Sequence, residues 1–204
     1  MQGTATVAGV AQGTGAEKAR EAGAHSVIFA GIGGRGVLAA GRILAEAAVA
    51  DYPHVIWLPT LTTAMRGEPC ECTLVLSPQR IASVNVWRPD ALVILDPSRL
   101  KVFEGRVRPG GLIITETAGL EEKERRADVQ WIKVPALEMA IQMGNPMMAN
   151  LILLGIYVGK MGVVPPEAVE AKLEKKFGGR EMVSATNREA FRQGIELARD
   201  QLGR

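Results

Sequence analysis

Residues 31–36 read Gly-Ile-Gly-Gly-Arg-Gly and directly follow an apolar run. This stretch fits the pattern G-x-G-x-x-G between a strand and a helix. The glycines Gly31, Gly33, Gly34 and Gly36 permit a tight turn and close approach to the backbone, and the start of a helix favours an anion. Arg35 adds a positive charge. Two interpretations stay open: packing of strand on helix with a tight subunit contact, or binding of a phosphate-bearing group.

A standard dinucleotide site is disfavoured by the second predicted strand. Such a site needs an Asp or Glu at the end of that strand to hold the ribose hydroxyls. Here the strand ends Trp57-Leu58-Pro59-Thr60, without an acid and without a basic residue for a 2′-phosphate. The glycine loop therefore predicts a fold more firmly than it predicts a cofactor.

A second group of polar side chains lies in the long connection that follows this strand. It contains the hydroxyls of Thr60, Thr62 and Thr63, the guanidinium of Arg66, and Gly67. Open α/β sheets bind ligands at the carboxyl ends of their strands, and arginine is a natural bidentate partner for carboxylate or phosphate. The alternative is an interface loop whose arginine pairs with an acid on another chain.

The two cysteines, Cys70 and Cys72, are too few for the four ligands of a structural zinc or an iron–sulfur cluster. We expect both to be reduced and structural, pointing to opposite faces of a strand, as in a cytoplasmic protein. The sequence shows no metal-ligand cluster and no arrangement typical of a catalytic triad. We therefore predict no catalytic residue and no metal site in this chain.

The elements that must position these loops alternate between aliphatic strands and helices or crossovers. This order predicts an α/β, Rossmann-like domain with a largely parallel sheet, helices on both faces and a C-terminal helical segment. The predicted strands begin near Ser26, His54, Cys72, Pro89, Gly110 and Val129. The predicted helices cover residues 37–50, 146–161 and 167–177, with a last helix capped by Ser184 or Thr186. For the second of these helices we expect Asn145 as the N-cap, Pro146 at the first helical position and Gly162 as the stop.

Length and composition limit the classes of function. The chain has 204 residues, a net charge of +2 and 47% apolar residues, with interspersed charges. These values suit one domain, residues 25–204, after a flexible N-terminal tail, residues 1–24. The sequence has no basic stripe of the kind that would indicate nucleic-acid binding. It also has no apolar run that approaches the length of a membrane span. We expect no signal peptide and a cytoplasmic location.

Several motifs, in order from Ser26 to Leu202, resemble the gamma subunit of 2-oxoacid:ferredoxin oxidoreductases. The glycine loop resembles G-x-G-G-Q-G, and residues 59–67 resemble P-(S/T)-…-M-R-G. Residues 72–77 resemble C-x-V-x-x-S and precede a strand that ends in Leu-Asp. The run GNPMMANLILLG, with Asn145 and Asn150, resembles the start of a family helix, and residues 187–194 resemble N-x-x-A-F-x-x-G. The chain departs from the family pattern at Arg35, at Glu68 and at residues 62–64.

The resemblance implies a subunit that is not catalytic alone. The family carries out oxidative decarboxylation of a 2-oxoacid with coenzyme A (CoA), giving acyl-CoA, CO2 and reduced ferredoxin. Thiamine diphosphate, Mg2+ and iron–sulfur clusters are then expected on alpha and beta partner subunits, with a ferredoxin-like delta subunit as a further candidate. The glycine loop, the residue 60–67 connection, Asn145 and Asn150 are expected to face CoA or a partner. The rival hypotheses are a stand-alone nucleotide-binding enzyme or sensor and a non-catalytic scaffold.

Overall fold

The computed structural model describes residues 23–61, 67–121, 126–177 and 181–200, with the side chains of Leu61, Phe177 and Glu181 left aside. The predicted tail, except Gly23 and Ala24, lies outside these ranges, so the tail and the single-domain boundary stay predictions. No helix in the described ranges is both long and apolar enough to cross a membrane.

Six strands form one sheet in the order β2-β3-β1-β4-β5-β6. All six predicted strands are present. Their bounds are β1 His25–Ile32, β2 His54–Leu61, β3 Pro69–Ser77, β4 Ala91–Ile94, β5 Leu112–Glu116 and β6 Gln130–Val134. Strands β1, β4, β5 and β6 pair in parallel, whereas β3 is antiparallel to both β1 and β2. The predicted largely parallel α/β sheet is confirmed, with one reversed strand that the sequence did not predict.

Helices cover the two faces of the sheet unequally. The helices are α1 Val37–Ala48, α2 Leu100–Phe103, α3 Ala136–Gln142, α4 Ala149–Met161, α5 Pro166–Phe177 and α6 Glu181–Asp200. One large core joins one face of the sheet to α1 and to the C-terminal helices. A smaller core packs α2 and its flanking turns against the other face of β1, β4 and β5. The chain runs from β1 to α1 on one face of the sheet and from β4 to α2 on the other face. The carboxyl ends of β1 and β4 therefore border a crevice of the kind in which open α/β sheets bind ligands.

The predicted C-terminal helical segment is present, and it packs onto the sheet. Helix α4 is apolar around most of its circumference and is buried from Asn150 to Val158. Its Gly155 lies against Gly194 of α6 so closely that a Cβ on Gly194 would stand 2.9 Å from the Gly155 Cα atom. Small residues therefore set the distance between these two helices, and Gly162, in the left-handed region at φ 60°, ends α4.

Two expectations from the sequence are wrong. Helix α6 begins at Glu181, so Ser184 and Thr186 lie inside it rather than at its cap. The Thr186 hydroxyl donates instead to the carbonyl of Met182 at 2.7 Å, one turn earlier. Cys70 and Cys72 are buried in the same core, because residues two positions apart in a strand share a face.

Candidate functional site

The two loops predicted from the sequence meet at one edge of the sheet. The Gly33 amide donates to the Glu68 carbonyl at 2.8 Å, and the Gly67 amide donates to the Gly33 carbonyl at 3.2 Å. Thr60, at the end of β2, pairs with Glu71 of β3. The glycine loop and the start of β3 are thus one backbone unit, at the carboxyl end of β1.

Three of the predicted site residues are not placed by this geometry. Thr62, Thr63 and Arg66 lie outside the described residues, between β2 and β3. Their assignment to a ligand-facing or partner-facing surface stays a prediction.

Gly36 and Asn150 are linked beneath the glycine loop. Gly36 has φ 79°, in the left-handed region, and a Cβ there would run into the Asn150 side-chain amide. Asn150 is 6% exposed, and its Nδ2 donates to the Gly36 carbonyl at 3.1 Å. Asn150 therefore supports the turn from inside the fold, by a bond that spans 114 residues of sequence.

Close packing at the ends of β1 and β4 requires a glycine at position 31. It is buried, and a Cβ at this position would lie 2.9 Å from Val37 Cγ2 and 3.2 Å from Leu95 Cβ. Both contacts are closer than ordinary van der Waals distance. The first glycine of the motif thus permits β1, β4 and α1 to converge.

Two backbone amides of the loop are already engaged by carbonyls. Gly33 N–H donates to Glu68, and Arg35 N–H donates to Ile32 at 3.2 Å. A phosphate cradled by successive backbone amides would need such groups. Anion recognition here would therefore depend on the remaining amides at the start of α1 and on the exposed Arg35 guanidinium.

The position of β3 also separates this site from a standard dinucleotide site. In a Rossmann unit the first two strands lie side by side, so the acid after the second strand reaches the ribose. Here β3 lies between β1 and β2. Because neighbouring strands are about 4.8 Å apart, the end of β2 is roughly 9–10 Å from β1. The missing acid after β2 and the distance of β2 from β1 are two independent reasons against a dinucleotide at this site.

A pocket of about 450 Å³ opens beside the glycine loop, at the crevice between β1 and β4. Its wall opposite the loop is largely apolar, and its charged groups are Arg35 and Glu116. The lining residues are 32–35, Gly67, Leu95, Glu116, Leu137, Pro146, Met147 and Ala149. This volume lies in the lower part of the range of about 300–1,000 Å³ for small-molecule sites, so the pocket admits part of a ligand or a short segment of a partner chain.

Glu116 is a pocket residue that the sequence analysis missed. It ends β5, is 3% exposed, and makes no ion pair in the described part of the chain. Its Oε1 accepts hydrogen bonds from the amides of Thr117 at 2.7 Å and Ala118 at 2.8 Å, and its Oε2 accepts one from Leu137 at 2.7 Å. The carboxylate thus ties the end of β5 to the first turn of α3. The sequence signal that could have pointed to it is its position as an acid near the end of the predicted fifth strand.

Two other polar residues near the crevice act as caps. Asn145 Oδ1 accepts from the Met147 amide at 3.0 Å and begins the 3-10 turn Pro146–Met148, so the predicted cap with a following proline is confirmed. Asp96 Oδ1 accepts from the Ser98 amide at 3.1 Å and likewise precedes a proline. Both side chains position the local backbone around the crevice.

The thiols beside the loop are neutral rather than nucleophilic. Burial raises the pKa of Cys72 to about 12 and also raises the pKa of Cys70, where nearby Glu71 adds to the effect. A reactive cysteine needs a lowered pKa and an electropositive surrounding. Both side chains instead serve the core, where a Cβ on Gly41 would collide with the Cys72 sulfur.

Comparisons with known proteins agree on the type of domain. A family model described as pyruvate ferredoxin/flavodoxin oxidoreductase matches residues 26–197. The ketoisovalerate oxidoreductase subunit VorA of Methanothermobacter marburgensis is 33% identical over 178 residues, which are 86% of this chain and 37% of VorA. The pyruvate/ketoisovalerate oxidoreductases common subunit gamma of Thermococcus litoralis is 28% identical over 175 residues, 82% of this chain and 94% of that subunit.

A solved structure has the same fold over nearly its whole length. The keto/oxoacid ferredoxin oxidoreductase gamma subunit from Geobacter sulfurreducens PCA superposes with a TM-score of 0.71 at 25% identity, covering 85% of this chain and 98% of that chain. The chain spans little more than a third of VorA, so similar domains occur both as nearly entire subunits and as parts of longer chains.

Proposed function

The chain belongs to the pyruvate ferredoxin/flavodoxin oxidoreductase family, and from this premise we propose that it is the gamma subunit of a multi-subunit 2-oxoacid:acceptor oxidoreductase. The complex oxidatively decarboxylates a 2-oxoacid with CoA and passes the electrons to ferredoxin. Alpha and beta subunits, with a ferredoxin-like delta subunit as a further candidate, carry thiamine diphosphate, Mg2+ and iron–sulfur clusters. The complex works in the cytoplasm, and this chain contributes assembly and positioning rather than a catalytic group.

The observation that carries this proposal is the engagement of the glycine loop by its own neighbours. The Gly33 and Arg35 amides donate to backbone carbonyls, and Gly36 is held by Asn150. The loop is therefore preorganised as a rigid surface instead of presenting a full cradle of amides. Such a surface suits a partner chain, or a ligand that a partner holds, better than a coenzyme bound by this chain alone.

The proposal assigns the surface around the loop to CoA and partner subunits. Gly34, Arg35, Thr60 and Gly67 are exposed in the described structure and share the carboxyl edge of the sheet. Thr62, Thr63 and Arg66 belong to the connection that begins at the same edge. The two arginines supply the charge that a phosphate of CoA would require.

Purification of the untagged chain from its source tests the proposal. We expect it to co-purify with larger subunits in a brown complex that contains thiamine diphosphate and reduces ferredoxin in the presence of a 2-oxoacid and CoA. The colour reports iron–sulfur clusters, which the two cysteines of this chain cannot ligate by themselves. Recovery of the chain alone, with tightly bound NAD(P) or flavin, would contradict the proposal.

Equilibrium binding of CoA to the complex tests the two arginines separately. We expect Arg35→Ala and Arg66→Ala each to weaken CoA binding by roughly tenfold, the effect of losing one charge-assisted hydrogen bond. Arg80→Ala, which removes an exposed arginine from the connection after β3, is the matched control and should leave the affinity unchanged. Unchanged affinity in both test variants would remove CoA from this surface.

A further inference from the structure

A basic groove lies between the C-terminal half of α1 and the last turns of α5. We define this basic groove by Arg42, Lys172, Lys175 and Lys176, with Val49 and Ala50 between them. It encloses about 760 Å³, and Glu46 is the one carboxylate among its lining residues. The groove therefore combines four cations with a single acid.

The positive charge arises because α5 divides its charges between two sides. Two of its three carboxylates face α6, where Glu170 Oε2 lies 2.6 Å from Arg192 Nη2 and Glu174 Oε2 lies 3.7 Å from Arg188 Nη1. Arg192 accordingly lowers the pKa of Glu170. With these two acids on that side, α5 presents Lys172, Lys175 and Lys176 to the groove.

Among the described lining residues of the groove, no free carboxylate faces Lys172 and Lys175. Glu46 is engaged by Arg42, whose Nε lies 2.7 Å from Glu46 Oε1. Lys172 and Lys175 make no ion pair within the described ranges. They are three residues apart on one helix, a spacing at which like charges repel. The helix C-terminus accounts for a cation at Lys175, but Lys172 lies a turn earlier, where the helix dipole has little effect.

An exposed apolar residue stands among the cations. Val49 is 66% exposed at the end of α1, next to Ala50. Protein–protein contacts combine an apolar centre with a polar rim, and complementary charges across them speed association and select the partner. A small phosphate ligand is less suited, because both bordering helices present their C-terminal, carbonyl ends here, which carry partial negative charge. Carboxylates on a protein surface can instead reach the flexible lysines individually.

From these observations we propose that the basic groove docks an acidic surface of a partner subunit, a contact separate from the one at the glycine loop. The inference rests on the proposed function, since it requires a multi-subunit complex. The glycine loop precedes α1 and the groove borders its other end, roughly 18 Å away along a 12-residue helix. A single partner or two different partners can therefore hold α1 at both ends.

Charge reversal within the assembled complex tests the groove. The variant K172E/K175E is compared with K133E/R80E, which makes the same change in net charge at two exposed positions away from the groove. Dissociation of the chain from the remaining subunits is measured at 50 mM and 300 mM NaCl. We expect K172E/K175E to weaken assembly by about tenfold or more at low salt and by less at high salt, because salt screens exposed charges. K172R/K175R should assemble like the wild type.

Each alternative outcome has a distinct reading. Equal dissociation constants for K172E/K175E and K133E/R80E would overturn the docking surface. Normal assembly of K172E/K175E with loss of inorganic phosphate or CoA binding would also overturn it and assign the groove to a small anion. Thermal unfolding of each isolated variant establishes that it folds. Recovery of the wild-type complex tests the proposed function first, so the two failures are distinguishable.

Discussion

Replacing Gly194 by alanine is expected to destabilise the protein by about 3 kcal/mol, the upper range for overpacking a well-packed core. This change in the free energy of unfolding has the opposite sign to the usual one. Alanine in place of glycine normally stabilises a helix interior by about 0.5–1 kcal/mol. Here the new methyl group would collide with the Ile152 carbonyl and lie 2.9 Å from Gly155 Cα. Both atoms belong to the backbone of α4, so no side-chain rotation relieves the contact.

Urea unfolding of the isolated chain measures this effect. The matched control is Gly105→Ala, because Gly105 lies in a short 3-10 turn, has no positive φ and has open space around its Cβ direction. We expect the control to change the free energy of unfolding by less than about 0.5 kcal/mol. A Gly194→Ala protein as stable as the control would mean that α4 and α6 separate easily, and that the two-helix contact is not fixed by these glycines.

The order and type of the elements were readable from the sequence because the core is made of long aliphatic runs. Strand β1 and helix α4 are each buried along most of their length, so each appears in the sequence as a continuous apolar stretch. The glycine at the end of α4 and the Asn-Pro pair before it were also readable. These are local signals, in which one backbone conformation strongly favours one residue type.

The direction of β3 was not readable. Buried parallel and buried antiparallel strands have the same aliphatic composition, and the predicted strands left residues 60–71 between them, just long enough for a parallel crossover. In the structure β2 extends to Leu61 and β3 begins at Pro69, and the seven-residue connection that remains suits only an antiparallel pair. The reversal has a functional consequence, because it inserts β3 between β1 and β2. The sequence disfavoured a dinucleotide through a missing acid, whereas the topology disfavours it through distance.

Part of the candidate site could be predicted from the sequence for a related reason. Two loops at the carboxyl ends of strands were expected to be functional, and the Gly33–Glu68 hydrogen bond joins them. The bond between Asn150 and Gly36 spans 114 residues, and no local pattern encodes such a pair. Glu116 was missed because its partners are backbone amides, which carry no signature of their own in the sequence.

Replacing Glu116 by alanine is the second large expected effect, a loss of about 3 kcal/mol in the free energy of unfolding. The substitution removes the acceptor for three amides and leaves those of Ala118 and Leu137 without their partner in the described structure. A hydrogen bond to a charged acceptor contributes about 1.5–3 kcal/mol, and water recovers part of this at the exposed Ala118 and the half-buried Leu137. The Thr117 amide keeps a hydrogen-bond partner in the variant, because it also donates to the Val134 carbonyl at 3.0 Å.

The variant Glu116→Gln separates the effect of the hydrogen bonds on stability from the effect of side-chain volume. Glutamine has nearly the same shape but offers one acceptor oxygen, so its NH2 group must face at least one of the three amide donors. We therefore expect a loss of about 1–2 kcal/mol, between that of alanine and that of the wild type. Glu121→Gln is the control, since Glu121 is exposed and its ion pair with Lys101 at 3.5 Å contributes little.

Amide hydrogen exchange gives the site-specific readout of the same bonds. In both Glu116 variants, faster exchange is expected at Ala118 and Leu137, while amides inside α4 should keep their protection at low denaturant. Such a pattern would show that the carboxylate holds the end of β5 to the start of α3, and with it one wall of the pocket beside the glycine loop. If Glu116→Gln were as stable as Glu121→Gln with unchanged exchange, water would be satisfying these amides and Glu116 would not position that wall.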